Sequence, residues 1–445
     1  MNIALVSTPS QEYSYPAPSI FFLKGCLNRA GLTSVCFDFN HSFMKEFGEA
    51  GLRWCETGTG YCKEIEDFII SYSNKFISFD WICISVFTYN SQNFTRKLLE
   101  LIRDKTSAKI VLGGTGIVNN QGADYDGHTQ QFGDEMLEKN LADFVIKGDG
   151  DVSLPNLIKG LPYTEGQLLD LKNLPYPDYS DINFEDYEYR TAIVTGSRGC
   201  VRDCTFCDVG FFWSKYKYRP GQEVANEIIH LHHLHGIKNF GFSDSLVNGS
   251  LKEFRVFCKT LADANLPISW QGQFIFRSGM TNEDWDNLKK SGCKKLWIGI
   301  ESGSEKIRND MKKKFSNKIL YESVEHAAIR NIEMVYLLIV GYPTETKADF
   351  QETLDFISWS AKYHKLIEIR INPAMILPNT QLEKVHWYGD IENWKYINDD
   401  GELDMQERYR RWNVGNELVA TYKFKSYPRH KRQDEILQNR LKKDS

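Results

Sequence analysis

The sequence has no apolar run that approaches the roughly 20 residues of a membrane-spanning helix. It has no excess of positive charge: 54 Lys and Arg against 59 Asp and Glu leave a formal net charge of −5. Bulk nucleic-acid binding, which needs a basic footprint, is therefore not expected, and neither is a membrane partner. Internal repeats and low-complexity tracts are absent. The opening residues MNIALVSTP carry no charged lead, a pattern that fits a buried strand and not a signal peptide. Cysteine is sparse, with ten in 445 residues, and seven of them are scattered. Cys26, Cys36, Cys55, Cys62, Cys83, Cys258 and Cys293 are read as small structural hydrophobes, which suits a reducing, cytoplasmic setting.

What is present is ordinary globular material, 42% hydrophobic and 25% charged, long enough for two or three domains. The first third alternates strands and helices. Strands are expected at Ile3–Ser7, Thr33–Phe39, Trp81–Phe87, Lys109–Leu112 and Phe144–Ile146. Helices are expected at Ser19–Ala30, stopped by Gly31, and at Ser91–Lys105, with Ser91 as the cap. Gly25 falls inside the first helix, where alanine should be neutral. The rhythm predicts an α/β fold with a Rossmann-like open parallel sheet over 1–150. Such sheets bind ligands beyond the carboxyl ends of their strands. The ends here are small, polar or glycine-rich. Residues 151–190, with Pro155, Pro162, Pro175 and Pro177, read as a linker carrying one short helix. Six further strands, Ala192–Thr195, Asn239–Ser243, Ile268–Gln273, Lys295–Ile300, Met334–Val340 and Glu368–Ile376, predict a partial, open (β/α)6 barrel of the TIM type over 191–382. Residues 383–445 form an extension, aromatic and then basic, with a solvated end.

Chemistry concentrates in TGSRGCVRDCTFCDVG, where Cys200, Cys204 and Cys207 give C-x3-C-x2-C. Three thiolates on one loop suit a 4Fe–4S cluster, which wants four ligands. The absent fourth cysteine leaves one iron open to chelate the amino and carboxylate groups of S-adenosylmethionine. The alternative is a structural zinc site, which usually closes with four ligands and paired knuckles. No second knuckle exists, so His230 or His233 would have to complete it. His230, His232, His233 and His235 share one helix and otherwise read as a solvated face.

The cysteine loop resembles the radical S-adenosylmethionine (radical SAM) superfamily, whose signature is C-x3-C-x-aromatic-C, with Phe206 as the aromatic. Tyr218-Arg219-Pro220 with Glu223 and Glu227, Phe240–Asp244, Arg277, Gly299–Gly303, Gly341–Thr346 and Leu377–Thr380 resemble successive family segments. The last has Asn379 where the family has glycine, and Ser245 replaces a second acid. The resemblance implies that Cys200, Cys204 and Cys207 bind the cluster's iron. It places Phe206, Ser243, Asp244, Arg277 and Glu301 around S-adenosylmethionine, which is cleaved to a 5′-deoxyadenosyl radical. An electron donor such as flavodoxin or ferredoxin is implied as partner.

The first domain resembles the cobalamin-binding domain found ahead of such barrels. Tyr15–Ser19, Gly31–Asn40, Ile84–Thr88, Val111–Thr115 and Asp143–Asp151 carry that likeness. It implies a corrinoid groove formed by Ser85, Phe87, Thr88, Gly113, Gly114, Thr115, Gly148 and Asp149. The D-x-H-x-x-G motif that supplies an axial histidine is absent, and His41 reads as a surface-loop residue. The architecture as a whole resembles class B-type radical SAM methyltransferases. It implies cobalamin-dependent methyl transfer to an unactivated carbon of a small-molecule or natural-product substrate. Radical rearrangement or oxidation is the alternative, and a non-catalytic carrier is the remote one.

Overall fold

The structure, a computed structural model, describes residues 1–10, 13–118, 131–164, 169–213, 215–377, 380–386, 396–398 and 400–425. The chain divides into two compact units, Met1–Ile193 with His230–Phe240 and Val194–Ile229 with Gly241–Ser445. Among the described residues no helix is long and apolar enough to cross a membrane.

The first unit is built on five parallel strands, β1 (Ile3–Ser7), β2 (Ser34–Asp38), β3 (Trp81–Ser85), β4 (Lys109–Gly113) and β5 (Phe144–Ile146), in the order β2-β1-β3-β4-β5. The apolar runs IALVS and WICIS are buried throughout, as central parallel strands covered on both faces must be. The order reverses between β1 and β3, and Ser7 and Ser85 lie side by side at that switch point. The expected helix is Pro18–Arg29, and Gly31 follows it in the left-handed region at φ 75°.

Three readings are corrected here. A helix missed in the sequence, Phe39–Thr57, follows β2 directly; Gly48 breaks its period at φ 47°, which disguised it. Ser91 precedes the Gln92–Ile102 helix without capping it, because its hydroxyl donates to the Pro9 carbonyl at 2.7 Å. Gly25 is not a neutral position: a Cβ there would run into the Tyr176 carbonyl oxygen.

That last contact belongs to a wider strap. The stretch expected to be a linker supplies the Gly150–Lys159 helix and then lies along the first unit. Buried Lys24 pairs with Asp181 at 2.6 Å, and the Tyr187 hydroxyl donates to Asp38 at 2.9 Å. His41 lies under this strap, its ring 4.1 Å from that of Tyr187, so it begins a helix and is half-buried instead of sitting on a surface loop. His230 and His235 are not simply solvated either. They pack on Tyr176 and on Tyr179 and Phe184.

The second sheet has six strands, β6 (Thr191–Val194), then β9 (Asn239–Phe242), β10 (Ser269–Phe274), β11 (Cys293–Glu301), β12 (Glu333–Val340) and β13 (Ile367–Pro373). A small antiparallel pair, β7 (Ser197–Arg198) with β8 (Lys217–Tyr218), intervenes. The order β13-β12-β11-β10-β9-β6 runs from one edge to the other without closing, and β10 to β13 pair in parallel. Two of the outer helices start on capping boxes, Thr281 with Asp284 and Thr346 with Asp349. The Met405–Thr421 helix docks on this sheet through buried Arg411, which donates to Glu345 at 2.8 Å, and Trp412, which donates to the Ile371 carbonyl at 2.9 Å. Pro378, Asn379 and most of the basic tail lie outside the described residues.

Candidate active site

The β7–β8 pair closes the base of a loop, residues 199–216, that carries all three clustered cysteines. Gly199 is needed where the loop leaves β7. It sits at φ 77°, and a Cβ would lie 2.9 Å from the Lys215 carbonyl oxygen. Cys200, Cys204 and Cys207 are half-buried free thiols, whereas the scattered cysteines are buried except Cys62, which is exposed. The amide of Arg202 donates to Cys200 Sγ at 3.4 Å, and the Cys207 amide donates to the Cys204 carbonyl at 3.2 Å. Thr205 anchors the loop between neighbours. Its amide donates to Met311, its carbonyl accepts from the Leu382 amide at 2.8 Å, and its hydroxyl meets that of Tyr342 at 2.8 Å. Phe206, expected beside the cofactor, packs against the cluster of Ile307, Met311, Tyr342, Ile376 and Leu382 and so holds the loop from behind.

Burial pushes the Cys204 thiol up to about 11, with Lys313 pulling the other way. Burial also raises Cys207. Iron binding must therefore displace protons from this loop, since a coordinated thiol is deprotonated. Among the described residues no three His, Cys, Asp or Glu side chains converge as ligands on one ion. The thiolates of a 4Fe–4S cluster each bind a different iron and need no such convergence. Three thiols on an anchored loop, with an N–H already aimed at one sulfur, fit that group.

Glu301 closes β11 in an unusual way. A register shift follows Gly299, and Glu301 itself is left-handed at φ 67°. Its buried carboxylate accepts from Lys313 Nζ at 2.9 Å. Lys313 reaches it because Lys312 and Lys314 also adopt positive φ, 60° and 54°, and lean towards Asp203 at 3.4 and 3.6 Å. The middle lysine is thereby turned inward. Burial alone would lower its ammonium, but Glu301, Cys204 and Cys200 hold it above its ordinary value. A Cβ on Gly299 would stand 2.7 Å from Lys313 Nζ and 2.5 Å from Glu301 Oε1, so the pair in this geometry uses the space that glycine leaves. Three strained non-glycine residues around one ion pair is the pattern of a functional site. The sequence reading missed Lys313, because a run of three lysines resembles a solvated patch.

Asp244 and Arg277 are tied to backbone. The Asp244 carboxylate accepts from the Gly196 amide at 2.8 Å and the Ser197 hydroxyl at 2.6 Å, so it fixes the approach to the cysteine loop. Complete burial lifts it to about 7 despite those donors. Ser243 shares a hydrogen bond with Thr195 at 2.8 Å, and Arg277 donates to the Asn248 and Gly249 carbonyls. Arg219 and Glu227, from the Tyr218–Glu227 segment, form a buried ion pair at 2.5 Å.

In the first unit, the predicted groove residues cluster at the ends of β3 and β4. The Val86 amide donates to Gly113 at 2.8 Å and the Gly116 amide to Val86 at 2.9 Å, while the Thr115 hydroxyl bonds the Phe87 carbonyl. Ser85 shares a hydrogen bond with Ser19 at 2.8 Å. A Cβ on Gly113 would make only ordinary contact, its nearest neighbour being the Ile146 carbonyl oxygen at 3.9 Å. A Cβ on Gly114, which sits at φ 101°, would lie 2.5 Å from the Val86 carbonyl oxygen. Phe87 and Tyr89 are 55% and 52% exposed, and the Thr88 hydroxyl is buried with no hydrogen-bond partner. Gly148, at φ 90°, turns the chain after β5, and Asp149 takes the N-cap position of the next helix. A shelf without Cβ atoms, exposed aromatic rings and an orphaned hydroxyl fit a broad flat ligand such as a corrin.

An open sheet of six strands with a three-cysteine loop after its first strand is the arrangement that the comparisons meet. Residues 194–357 match the radical SAM superfamily, so the chain carries a radical SAM domain. It is 26% identical over 189 residues to the cytidylyl-2-hydroxyethylphosphonate methyltransferase of Streptomyces wedmorensis, covering 39% of this chain and 35% of that one. It is 21% identical over 253 residues to the anaerobic magnesium-protoporphyrin IX monomethyl ester cyclase of Synechocystis, covering 51% and 50%. The chain spans about half the length of the curated relatives it matches. The same architecture occurs in the radical methyltransferase TsrM of Kitasatospora setae, solved with cobalamin and a 4Fe–4S cluster. The TM-score is 0.64 at 15% identity, over 90% of this chain and 81% of that one. The cobalamin-dependent radical enzyme OxsB also has TM-score 0.64 at 15% identity, over 86% and 60%.

Proposed function

We propose that this protein is a cobalamin-dependent radical SAM methyltransferase that alkylates an unactivated carbon of a small molecule. The observation that carries the reading is the strained Glu301–Lys313 pair beside a three-thiol loop. The cofactors, when bound, would supply a 5′-deoxyadenosyl radical and a methyl group. Cys200, Cys204 and Cys207 would hold the cluster, and Thr205 and Phe206 would keep their loop in place. The Glu301 carboxylate and Lys313 ammonium would meet the polar groups of S-adenosylmethionine, with Asp244 positioning the loop's approach. Phe87, Thr88 and the Gly113–Gly114 shelf would receive the corrin ring, and Ser85, Thr115, Gly148 and Asp149 its periphery. Flavodoxin or ferredoxin would bring the electron.

The test is anaerobic reconstitution followed by metal analysis and product analysis. Expected are about four irons and four sulfides per chain, bound cobalt, 5′-deoxyadenosine, and a methylated product. Cys200→Ala, Cys204→Ala and Cys207→Ala should each abolish cleavage of S-adenosylmethionine, while Cys258→Ala and Cys293→Ala retain the cluster. Full cleavage by Cys204→Ala would sink the cluster assignment. 5′-Deoxyadenosine without methylated product would favour rearrangement or oxidation, and no bound cobalt would point to a cobalamin-independent radical enzyme.

A further inference from the structure

Glu301 and Lys313 sit on backbone that does not adopt its shape freely. Glu301 is left-handed at φ 67°, and Lys312 and Lys314 are so at 60° and 54°. Non-glycine residues in that region cost energy and persist only where their surroundings over-determine them. Contacts to the residues that follow both segments converge on one side chain, that of Arg308.

Arg308 lies on the short helix Glu305–Asp310, between the two strained segments, and is fully buried. Its Nη1 donates to the carbonyls of Ser302 at 2.7 Å and Gly303 at 2.9 Å, the two residues after Glu301. Its Nε donates to the Phe315 carbonyl at 3.3 Å and its Nη2 to Asn317 Oδ1, just beyond Lys314. The guanidinium also stands 5.0 Å from the centre of the Phe315 ring. Its own carbonyl accepts from the Lys313 amide at 2.8 Å. One residue therefore grips the chain after Glu301, the chain after Lys314 and the backbone of Lys313 itself. The first of these grips has a firm base. The Gly303 amide donates to Thr353 Oγ1 at 3.0 Å, and a Cβ on Gly303 would run into the Glu352 carbonyl oxygen, so this segment rests directly on the Lys347–Ser360 helix.

Every acceptor of the Arg308 side chain is neutral, and among the described residues no carboxylate pairs with it. Burial pushes its guanidinium down to about 10. A charge buried on those terms is costly. An amide side chain would satisfy one carbonyl without that cost, but only a planar fork with five donors reaches both segments at once.

We propose that Arg308 is a positioning residue: its guanidinium fixes the backbone on which Glu301 and Lys313 face S-adenosylmethionine, without touching the cofactor itself. This rests on the reading of that pair as the cofactor's polar partners.

The experiment uses the full-length protein and reads two quantities in wild type, Arg308→Lys and Arg308→Met. The first is reductive methylation of each lysine under native conditions, followed by peptide mass spectrometry. Lys313 is buried, and so is Lys24, which pairs with Asp181 in the first unit and serves as the internal reference. Lys313 should react about tenfold faster in both variants, the change expected when local opening becomes easier by the worth of one hydrogen bond to a charged group. Lys24 should react as before. The second quantity is the dissociation constant for S-adenosylmethionine after reconstitution, which should rise about tenfold on the same scale at unchanged iron content. Arg330→Lys, which alters a guanidinium paired with Asp286 on the outer helices, should change neither. If Arg308→Met fails to fold, Arg308→Lys decides, because it keeps the buried charge and loses the fork. Unchanged labelling of Lys313 in Arg308→Lys, a rise shared equally by Lys24, or an unchanged dissociation constant overturns the proposal. If the wild type binds no S-adenosylmethionine but the variants free Lys313 alone, the cofactor reading fails and the positioning of the pair by Arg308 stands.

Discussion

Glu301 and Lys313 depend on each other, since either alone would be a charge buried beside half-buried thiols. Removing one partner of such a pair typically costs about 3–5 kcal/mol, because the other charge is left unpaired. Lys313→Met should therefore destabilise the protein to denaturant by about 3 kcal/mol or more, and Glu301→Gln/Lys313→Met should recover part of that loss. Equal stability of wild type and Lys313→Met would mean that the pair is open to water. Glu301→Gln should also weaken S-adenosylmethionine binding about tenfold to a hundredfold, the effect of one lost charge-assisted contact, with iron content unchanged. Asp244 makes a pH prediction. Its ordinary value is 3.8 and burial lifts it to about 7. Between those values the folded protein holds a proton that the unfolded chain has released. Its contribution to stability is thus complete below about 4 and is lost as pH rises through 7. Denaturation midpoints should fall over that interval, and Asp244→Asn should flatten this part of the profile.

Glycines decide events at the scale of elements. Gly25 lies where the Pro18–Arg29 helix meets the strap at Tyr176, with no room for a methyl group. Gly25→Ala should lower stability by about 1–3 kcal/mol through overpacking, measurable as a lower midpoint in urea. At the end of β4 two adjacent glycines differ. Gly114→Val would strike the Val86 carbonyl and force a bulky residue to positive φ, so it should disturb the fold itself. Gly113→Val adds a Cβ that meets only the Ile146 carbonyl oxygen at ordinary contact, so it should fold normally while filling the shelf proposed for the corrin. Bound cobalt after reconstitution with hydroxocobalamin should fall sharply in Gly113→Val at unchanged circular dichroism. Undiminished cobalt would move the corrinoid away from this strand end.

At the scale of the whole chain, a ligand that binds only the folded state adds stability by mass action, about 2.7 kcal/mol at a hundredfold excess over its dissociation constant. Hydroxocobalamin should raise the melting temperature of the wild type and leave that of Gly113→Val nearly unmoved. No shift in the wild type at saturating corrinoid would count against cobalamin binding by the first unit.

The sequence by itself determined both sheets and the cysteine loop, because their signals are local. A short apolar run such as WICIS, rich in aromatic and β-branched residues, suits a strand covered on both faces, and three cysteines within eight residues share a loop whatever surrounds them. It also pointed to Glu301, which ends a strand. Contacts between distant segments were left for the tertiary structure to decide. Lys313 becomes Glu301's partner only because strained neighbours on either side lean to Asp203. Gly25 becomes intolerant only because a segment 150 residues later crosses it. The Phe39–Thr57 helix was hidden by Gly48, whose backbone only Gly adopts readily. These choices turn on which surfaces exclude water from one another, and no local pattern of residues encodes that.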